Sequence, residues 1–237
     1  MLYLIGLGLN EKGISKEGLL ALESCSKVYL ETYTVNFPYP FEDLHLGKKK
    51  IEPLERKDVE SNLLIKEAKS RNIGLLVYGS PLFATTHLTL INDAHEQGIR
   101  TKVIYAASVF DAIAETGLQL YKFGKTASMP AWKKNFEPDS FIEIIKQNQE
   151  IKAHTLVLVD IGLSFKRTVE QLREACKRKD FSLGNVVVCS QLGTVNQNIF
   201  YNSLDKINSI DINFPFCVVI PSELHFTEEG ALNNAIH

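Results

Sequence analysis

No apolar run in this chain approaches the ~20 residues that a bilayer-spanning helix needs, and its start lacks the basic flank and long apolar segment of a secretory leader. A cytosolic, membrane-free protein is therefore expected. The four cysteines, Cys25, Cys176, Cys189 and Cys217, are scattered. Without a Cys-x-x-Cys pair they offer no framework for zinc or thiol exchange, and buried reduced thiols are expected. Excess charge is missing too: 26 basic against 28 acidic residues leave a formal net charge of -2. That balance supplies no field to draw the whole molecule to nucleic acid or an anionic membrane. Repeats of solenoid period and low-complexity tracts are also absent.

The common catalytic signatures are missing as well. Gly124-Lys125-Thr126 lacks the upstream glycine of a phosphate-cradling loop, and no Gly-x-Ser-x-Gly elbow provides a hydrolase nucleophile. His87, His95 and His154 do not form a His-x-x-x-His pair or stand at ligand spacing from carboxylates, so no metal site is expected and they read as hydrogen-bonded or exposed. Gly6 and Gly8 begin a dinucleotide fingerprint, but Glu11 occupies the third glycine's place and Gly13 comes two positions late. Glu31, after the second strand, reads either as a ribose partner or as a strand end in solvent.

What is present is an α/β pattern. With 237 residues, 45% of them hydrophobic, the chain can bury a substantial core, and two α/β halves fit best. The chain opens on Met1-Leu-Tyr-Leu-Ile-Gly-Leu-Gly-Leu-Asn10, an apolar run suited to a strand covered on both faces, ending in a glycine loop. Ser15 then caps a helix with Ala21, Leu22 and Leu19 inward, followed by a strand over Ser26–Glu31. Residues 33–44, with Pro38, Pro40, Phe37, Tyr39 and Phe41, form a loop with apolar anchors. Asp58 caps a long helix from Val59 to about Ser70, leading into a strand over Ile73–Tyr78. A second loop, Gly79 to His87, precedes a helix through Ala94. A strand over Thr101–Tyr105 leads to a third loop, Ala106-Ala107-Ser108, whose Ser108 caps a helix to Glu115. These three strand-end loops are expected to meet on one edge of a parallel sheet.

Near Tyr121–Lys125 the pattern becomes polar, with the single tryptophan, Trp132, just beyond. This places a boundary between an N-terminal domain, 1–122, and a C-terminal domain, 123–237. The second half then alternates a helix from Pro138-Asp139 to Gln149, a strand over Thr155–Asp160, a charged amphipathic helix over Arg167–Lys179, and strands over Asn185–Ser190 and Phe216–Ile220.

The suggestive places are thus backbone-rich loops with small and apolar residues and few titratable groups, which points away from acid/base chemistry. Methyl transfer from a sulfonium donor suits such a site, because the donor is already activated and the protein has mainly to align donor and acceptor. An amine acceptor must still lose a proton, to water or a neighbouring group.

Leu4-Ile-Gly-Leu-Gly-Leu9, Pro81-Leu-x-Ala-Thr-Thr-His87, Gly117-Leu-Gln-Leu-Tyr-Lys-Phe-Gly-Lys125 and Leu156-Val-Leu-Val-Asp-Ile161 occur in that order across nearly the whole chain. In this the chain resembles the diphthine synthase family, the diphthamide-pathway branch of the tetrapyrrole methylases. The resemblance implies two α/β domains with a ligand cleft between them, a homodimer, S-adenosyl-L-methionine as cofactor, and N-methylation of the 3-amino-3-carboxypropyl-histidine of elongation factor 2. It implies no nucleic-acid partner. By position it carries the donor pocket to Leu9, Ser80, Phe83, Ser108, Val109, Val159, Leu192 and Phe216. Taken alone, Leu9, Val159, Leu192 and Phe216 read as core and Ser108 as a helix cap. No residue is assigned as catalytic acid or base.

This chain also departs from the family pattern. Ser80 stands where the family usually has aspartate, which implies weaker donor binding by about 1 to 2 kcal/mol. Phe216 replaces a common histidine with stacking area. The alternatives are a sister enzyme of the same fold acting on a tetrapyrrole or ribosomal RNA, and a non-catalytic S-adenosylmethionine-binding module.

Overall fold

The structure is a computed structural model that describes residues 1–44, 46–47 and 49–234. The chain divides into two compact units, Met1–Asp111 and Ala112–His237. The first contains β1 (Leu2–Gly6), α1 (Lys16–Ser24), β2 (Lys27–Glu31), β3 (Ile51–Leu54), α2 (Arg56–Val59), α3 (Leu63–Ala68), β4 (Ile73–Val77), α4 (His87–Glu96) and β5 (Thr101–Ile104). Its sheet runs β3-β2-β4-β1-β5 with every pair parallel.

Successive side chains of a strand point to opposite faces. Leu2, Leu4, Ile73, Leu75 and Val77 accordingly pack with Leu64, Ile65, Leu90 and Ala94 on one side. Ile5, Val28, Leu30, Leu76 and Ile104 pack with Ala21 and Leu22 on the other. Burial on both faces is why β1 and β4 read as unbroken apolar runs.

Several elements differ from the sequence expectation. Ser15 does cap α1, accepting from the Gly18 N–H at 3.0 Å. Leu19, however, turns outward, 37% exposed, and Gly18 takes an inward position. A Cβ at Gly18 would lie 2.8 Å from Ile14 and 3.1 Å from Ile5, so only glycine lets the helix approach the sheet this closely. The long helix expected from Val59 is broken. Asp58 sits inside the first turn of α2 and accepts from the Glu55 N–H, and the Ser61 hydroxyl bonds back to the Asp58 carbonyl before α3 begins. Ser and Asn side chains compete with helical backbone bonds in this way. β3 is a strand the sequence pattern does not lead one to expect: it contains Pro53, which an edge strand tolerates.

The division falls near α5 (Val109–Ala112), earlier than the 122/123 boundary expected from composition, and α5 gives way to a 3-10 turn, Ile113–Thr116, in place of one helix to Glu115. The segment up to Lys122 joins the second unit because its bonds lie there. The Gln119 N–H donates to Glu228 at 2.9 Å, and the Lys122 ammonium pairs with the same carboxylate.

The second unit comprises β6 (Ala127–Met129), α6 (Ser140–Glu150), β7 (Thr155–Val159), α7 (Phe165–Arg178), β8 (Val186–Ser190), β9 (Asn198–Asn202), α8 (Leu204–Ile207), β10 (Phe216–Ile220) and α9 (Phe226–Asn234). Its sheet runs β6-β7-β10-β8-β9, with β10 antiparallel to both β7 and β8. Phe165, Val169, Leu172, Ala175 and Cys176 form the inward stripe of α7 against Val157, Val188 and Val218. β6, β9, α8 and α9 carry little local sequence signal, being short or weakly patterned.

Candidate functional site

In the first unit the loops after β1, β4 and β5 converge, as open parallel sheets lead one to expect at the carboxyl ends of their strands. Gly8 and Gly79 exchange backbone hydrogen bonds, Gly8 N–H to Gly79 O at 3.2 Å and Gly79 N–H to Gly8 O at 2.9 Å. Both have left-handed backbones, φ 73° and 69°. A Cβ on Gly6 would lie 2.7 Å from the Gly79 oxygen and 2.9 Å from the Ala106 Cβ. The glycines thus let three loops meet. Gly13, too late for a fingerprint, packs on Gly8, its oxygen 2.8 Å from where a Gly8 Cβ would be.

Five of the expected residues stand on these loops. Leu9 is 7% exposed, and its carbonyl accepts from the Tyr78 hydroxyl at 3.1 Å. Tyr78 is braced edge-on by Phe37 at 5.2 Å, so the aromatic loop after β2 buttresses the first loop through it. Burial pushes the Tyr78 phenol up. Ser80 is 2% exposed and its hydroxyl has no hydrogen-bond partner among the described residues. Such an orphaned group costs about 1 to 3 kcal/mol unless something binds it. Phe83, 43% exposed, lies against Phe110 at 5.2 Å. Ser108 is buried, and its N–H and hydroxyl both donate to Asp111 Oδ2 at 2.8 and 2.9 Å, while the hydroxyl accepts from the Phe110 N–H. Its polar atoms are used as a helix cap. Val109, half-buried, opens α5.

The other three lie together at one end of the second sheet. Phe216 starts β10 opposite Ser190, and Cys217 pairs with Leu158, one residue before the half-buried Val159. Phe216 packs edge-on against Phe165 at 5.6 Å and beside Phe214, which precedes a cis bond to Pro215. Gln191, φ 50°, is fastened to Pro215 O through its N–H and to Phe214 O through its side chain, both at 2.8 Å, which sets the buried Leu192 nearby.

Of two polar residues near the loops, Glu31 departs from its expected readings, whereas His87 is hydrogen-bonded, one of the two states expected of it. Glu31 is neither in solvent nor presented to a ribose: it is 1% exposed and accepts from the N–H groups of Tyr33 and Thr34 and from the Thr34 hydroxyl. Burial and the Glu31 charge push the Tyr33 phenol up to about 12. His87 is buried at the start of α4, its Nδ1 2.9 Å from the Pro81 carbonyl and its Nε2 3.7 Å from Glu31 Oε2. The Pro-Leu-x-Ala-Thr-Thr-His run was the available signal.

The Tyr121-Lys-Phe-Gly-Lys125 run, by contrast, is structural. Lys125 N–H donates to Asn148 Oδ1 and Asn148 Nδ2 donates back to the Lys125 carbonyl. Lys122 and His154 meet Glu228, and His154 Nδ1 accepts from the Ser222 N–H. Burial opposes ionisation of Glu228. The His225 and Gln119 N–H groups, the Lys122 ammonium and His154 outweigh it and hold the carboxyl at about 2. Burial also lowers His154, against the pull of Glu228. Among the described residues no group of three or more His, Cys, Asp or Glu side chains is arranged to hold a metal, and no helix is long and apolar enough to cross a membrane.

Two α/β units, the first carrying converging glycine loops at the carboxyl edge of a parallel sheet, give the frame of a methylase. The family model described as Tetrapyrrole (Corrin/Porphyrin) Methylases matches residues 1–208. The diphthine synthase of Methanocaldococcus jannaschii is 38% identical over 98% of this chain and 97% of its own. The probable diphthine methyl ester synthase of Arabidopsis thaliana is 35% identical over the same shares. An Entamoeba histolytica crystal structure assigned as a diphthine synthase superposes with a TM-score of 0.92 at 33% identity, covering 100% of this chain and 98% of that one. The chain belongs to the diphthine synthase family of the tetrapyrrole methylases, and it is a methyltransferase.

Proposed function

We propose that this methyltransferase N-methylates the 3-amino-3-carboxypropyl-histidine of elongation factor 2 in diphthamide biosynthesis, with S-adenosyl-L-methionine as donor. The observation that carries the donor assignment is the buried Ser80 hydroxyl, left without a partner at the point where three strand-end loops converge. A donor or acceptor on the ligand satisfies it, so the residues present fit such a molecule. When bound, S-adenosylmethionine supplies a methyl group already activated by its positive sulfur.

The chain's contribution in this reading is positioning. Leu9 and Phe83 supply apolar surface, Ser80 a hydrogen bond, and Ser108 and Val109 the fixed start of α5. Val159, Leu192 and Phe216 supply a second apolar group. The proton released by the acceptor amine passes to water or a neighbouring group. Homodimer formation and a cytosolic location belong to the same reading and rest on the family resemblance. Light scattering and cell fractionation test them.

The Arabidopsis relative supports a second outcome, in which a carboxylate is esterified after the amine is methylated. Incubation of the purified protein with S-adenosylmethionine and elongation factor 2 bearing the unmethylated side chain, read by mass spectrometry, separates the possibilities. Mass gain stable to mild alkali supports N-methylation alone, and an additional alkali-labile methyl group supports the ester. Absence of gain on that acceptor, with gain on a tetrapyrrole or ribosomal RNA, overturns the proposal. Donor binding without transfer to any acceptor indicates the non-catalytic module.

A further inference from the structure

We infer that His87 is a positioning residue for the donor: it fixes the Gly79–Thr86 loop by donating through Nδ1 to the Pro81 carbonyl. This rests on the reading of Ser80 as a donor-binding residue. A carbonyl oxygen only accepts, so the 2.9 Å contact requires the proton on Nδ1. His87 is the first residue of α4 and 1% exposed, so its ring is enclosed where the loop meets the helix. The bond ties the loop carrying Ser80 to that helix.

The Thr85 hydroxyl donates to the same Pro81 carbonyl at 2.6 Å, and the Phe83 N–H donates to the Ser80 carbonyl at 3.1 Å. Ala84 takes φ 55°, a conformation that a non-glycine residue holds only when its surroundings impose it. The loop is thus held in an unfavourable shape by a few bonds, and the one His87 supplies is buried. Its other nitrogen faces Glu31 Oε2 at 3.7 Å without a hydrogen bond. Glu31 itself is committed to Tyr33 and Thr34. The Nδ1 bond, not the Glu31 contact, is therefore the functional link.

The two nitrogens can be separated by substitution. In His87→Asn the amide N–H₂ falls near the Nδ1 position and keeps the Pro81 bond. In His87→Gln it reaches toward Nε2 and Glu31 and loses that bond. Calorimetry with S-adenosylhomocysteine, together with donor KM and kcat on the elongation factor substrate, reads the difference, and thermal melts verify that each variant is folded. Expected is donor affinity weakened about 3- to 10-fold in His87→Gln, the loss of one hydrogen bond. The expectation for His87→Asn is affinity within about twofold of the parent, with kcat at saturating donor unchanged in both.

Equal affinity in the two variants, or a fall in kcat with no change in donor KM, overturns the inference. Ser80→Val is the control. If it weakens donor binding while His87→Gln does not, the role of His87 is wrong and the site reading stands. If Ser80→Val leaves donor binding unchanged, the site reading itself fails and the inference falls with it.

Discussion

Replacing Ser80 by aspartate tests the site through two opposed effects. In the free protein a carboxylate would replace a hydroxyl that is 2% exposed and already lacks a partner, and nothing among the described contacts offers it a counter-charge. Burying an unpaired charge costs several kcal/mol, which the protein reduces by relaxing or by protonating the group. The ligand-free Ser80→Asp variant should therefore melt well below the parent, by about 5 °C or more for a chain of this size. With a positively charged donor bound, the same carboxylate gains a charge-assisted hydrogen bond or a neighbouring cation, about 1 to 2 kcal/mol, or roughly 5- to 30-fold in affinity. S-adenosylmethionine should accordingly raise the melting temperature of the variant more than that of the parent. Calorimetric titration should show the tighter Kd directly. A variant that is destabilised but binds the donor no better would show that Ser80 does not face it. One that melts like the parent would show that the hydroxyl's surroundings are not those described.

Tyr78→Phe removes only the bond to the Leu9 carbonyl, and donor affinity should fall about 3- to 10-fold with little change in melting temperature, measured by the same titration. Gly117 has φ 79°, and a Cβ there would lie 2.2 Å from that of Ala231, so Gly117→Ala should cost about 2 to 4 kcal/mol in denaturant melts. Adding Ala231→Gly should recover the overlap but not the backbone strain, and full recovery or none would refute that division. Glu228 is held at about 2 in the folded chain against an ordinary value near 4.5, so it stabilises fully above its unfolded pKa and loses that contribution as pH falls toward 2. The amount is about 2 to 3 kcal/mol after allowance for the partly exposed Lys122. His154 is lowered, so its unfolded form takes up a proton first and stability falls further as pH drops through the ordinary histidine range. Glu228→Gln should flatten the part of the stability curve below about pH 4.5, and an unchanged curve would remove Glu228 from this role.

Much of the architecture is legible in the sequence. β1, β2, β4, β7, β8 and β10 were found because a strand covered on both faces, or closed into a sheet interior, must be apolar along its length, and that signal is local. Ser15 and Ser108 were read as caps because capping involves residues within one turn. Convergence of the three loops followed from strand direction alone.

Other features depended on residues distant in sequence. The Val59–Ser70 helix broke because side-chain bonds from Asp58 and Ser61 competed with it, and β3 and β9 exist only because a neighbouring strand supplies their partners. Glu31 and His87 have no diagnostic spacing. Only folding encloses both and sets Nδ1 against Pro81. The boundary near Lys122 moved for the same reason, since its ammonium finds Glu228 more than a hundred residues away. Local polarity and periodicity therefore determined which segments became strands, helices and loops. Tertiary structure decided which polar atoms found partners and which, like the Ser80 hydroxyl, did not, because hydrogen bonding between distant residues is settled only when their backbones are brought within about 3 Å.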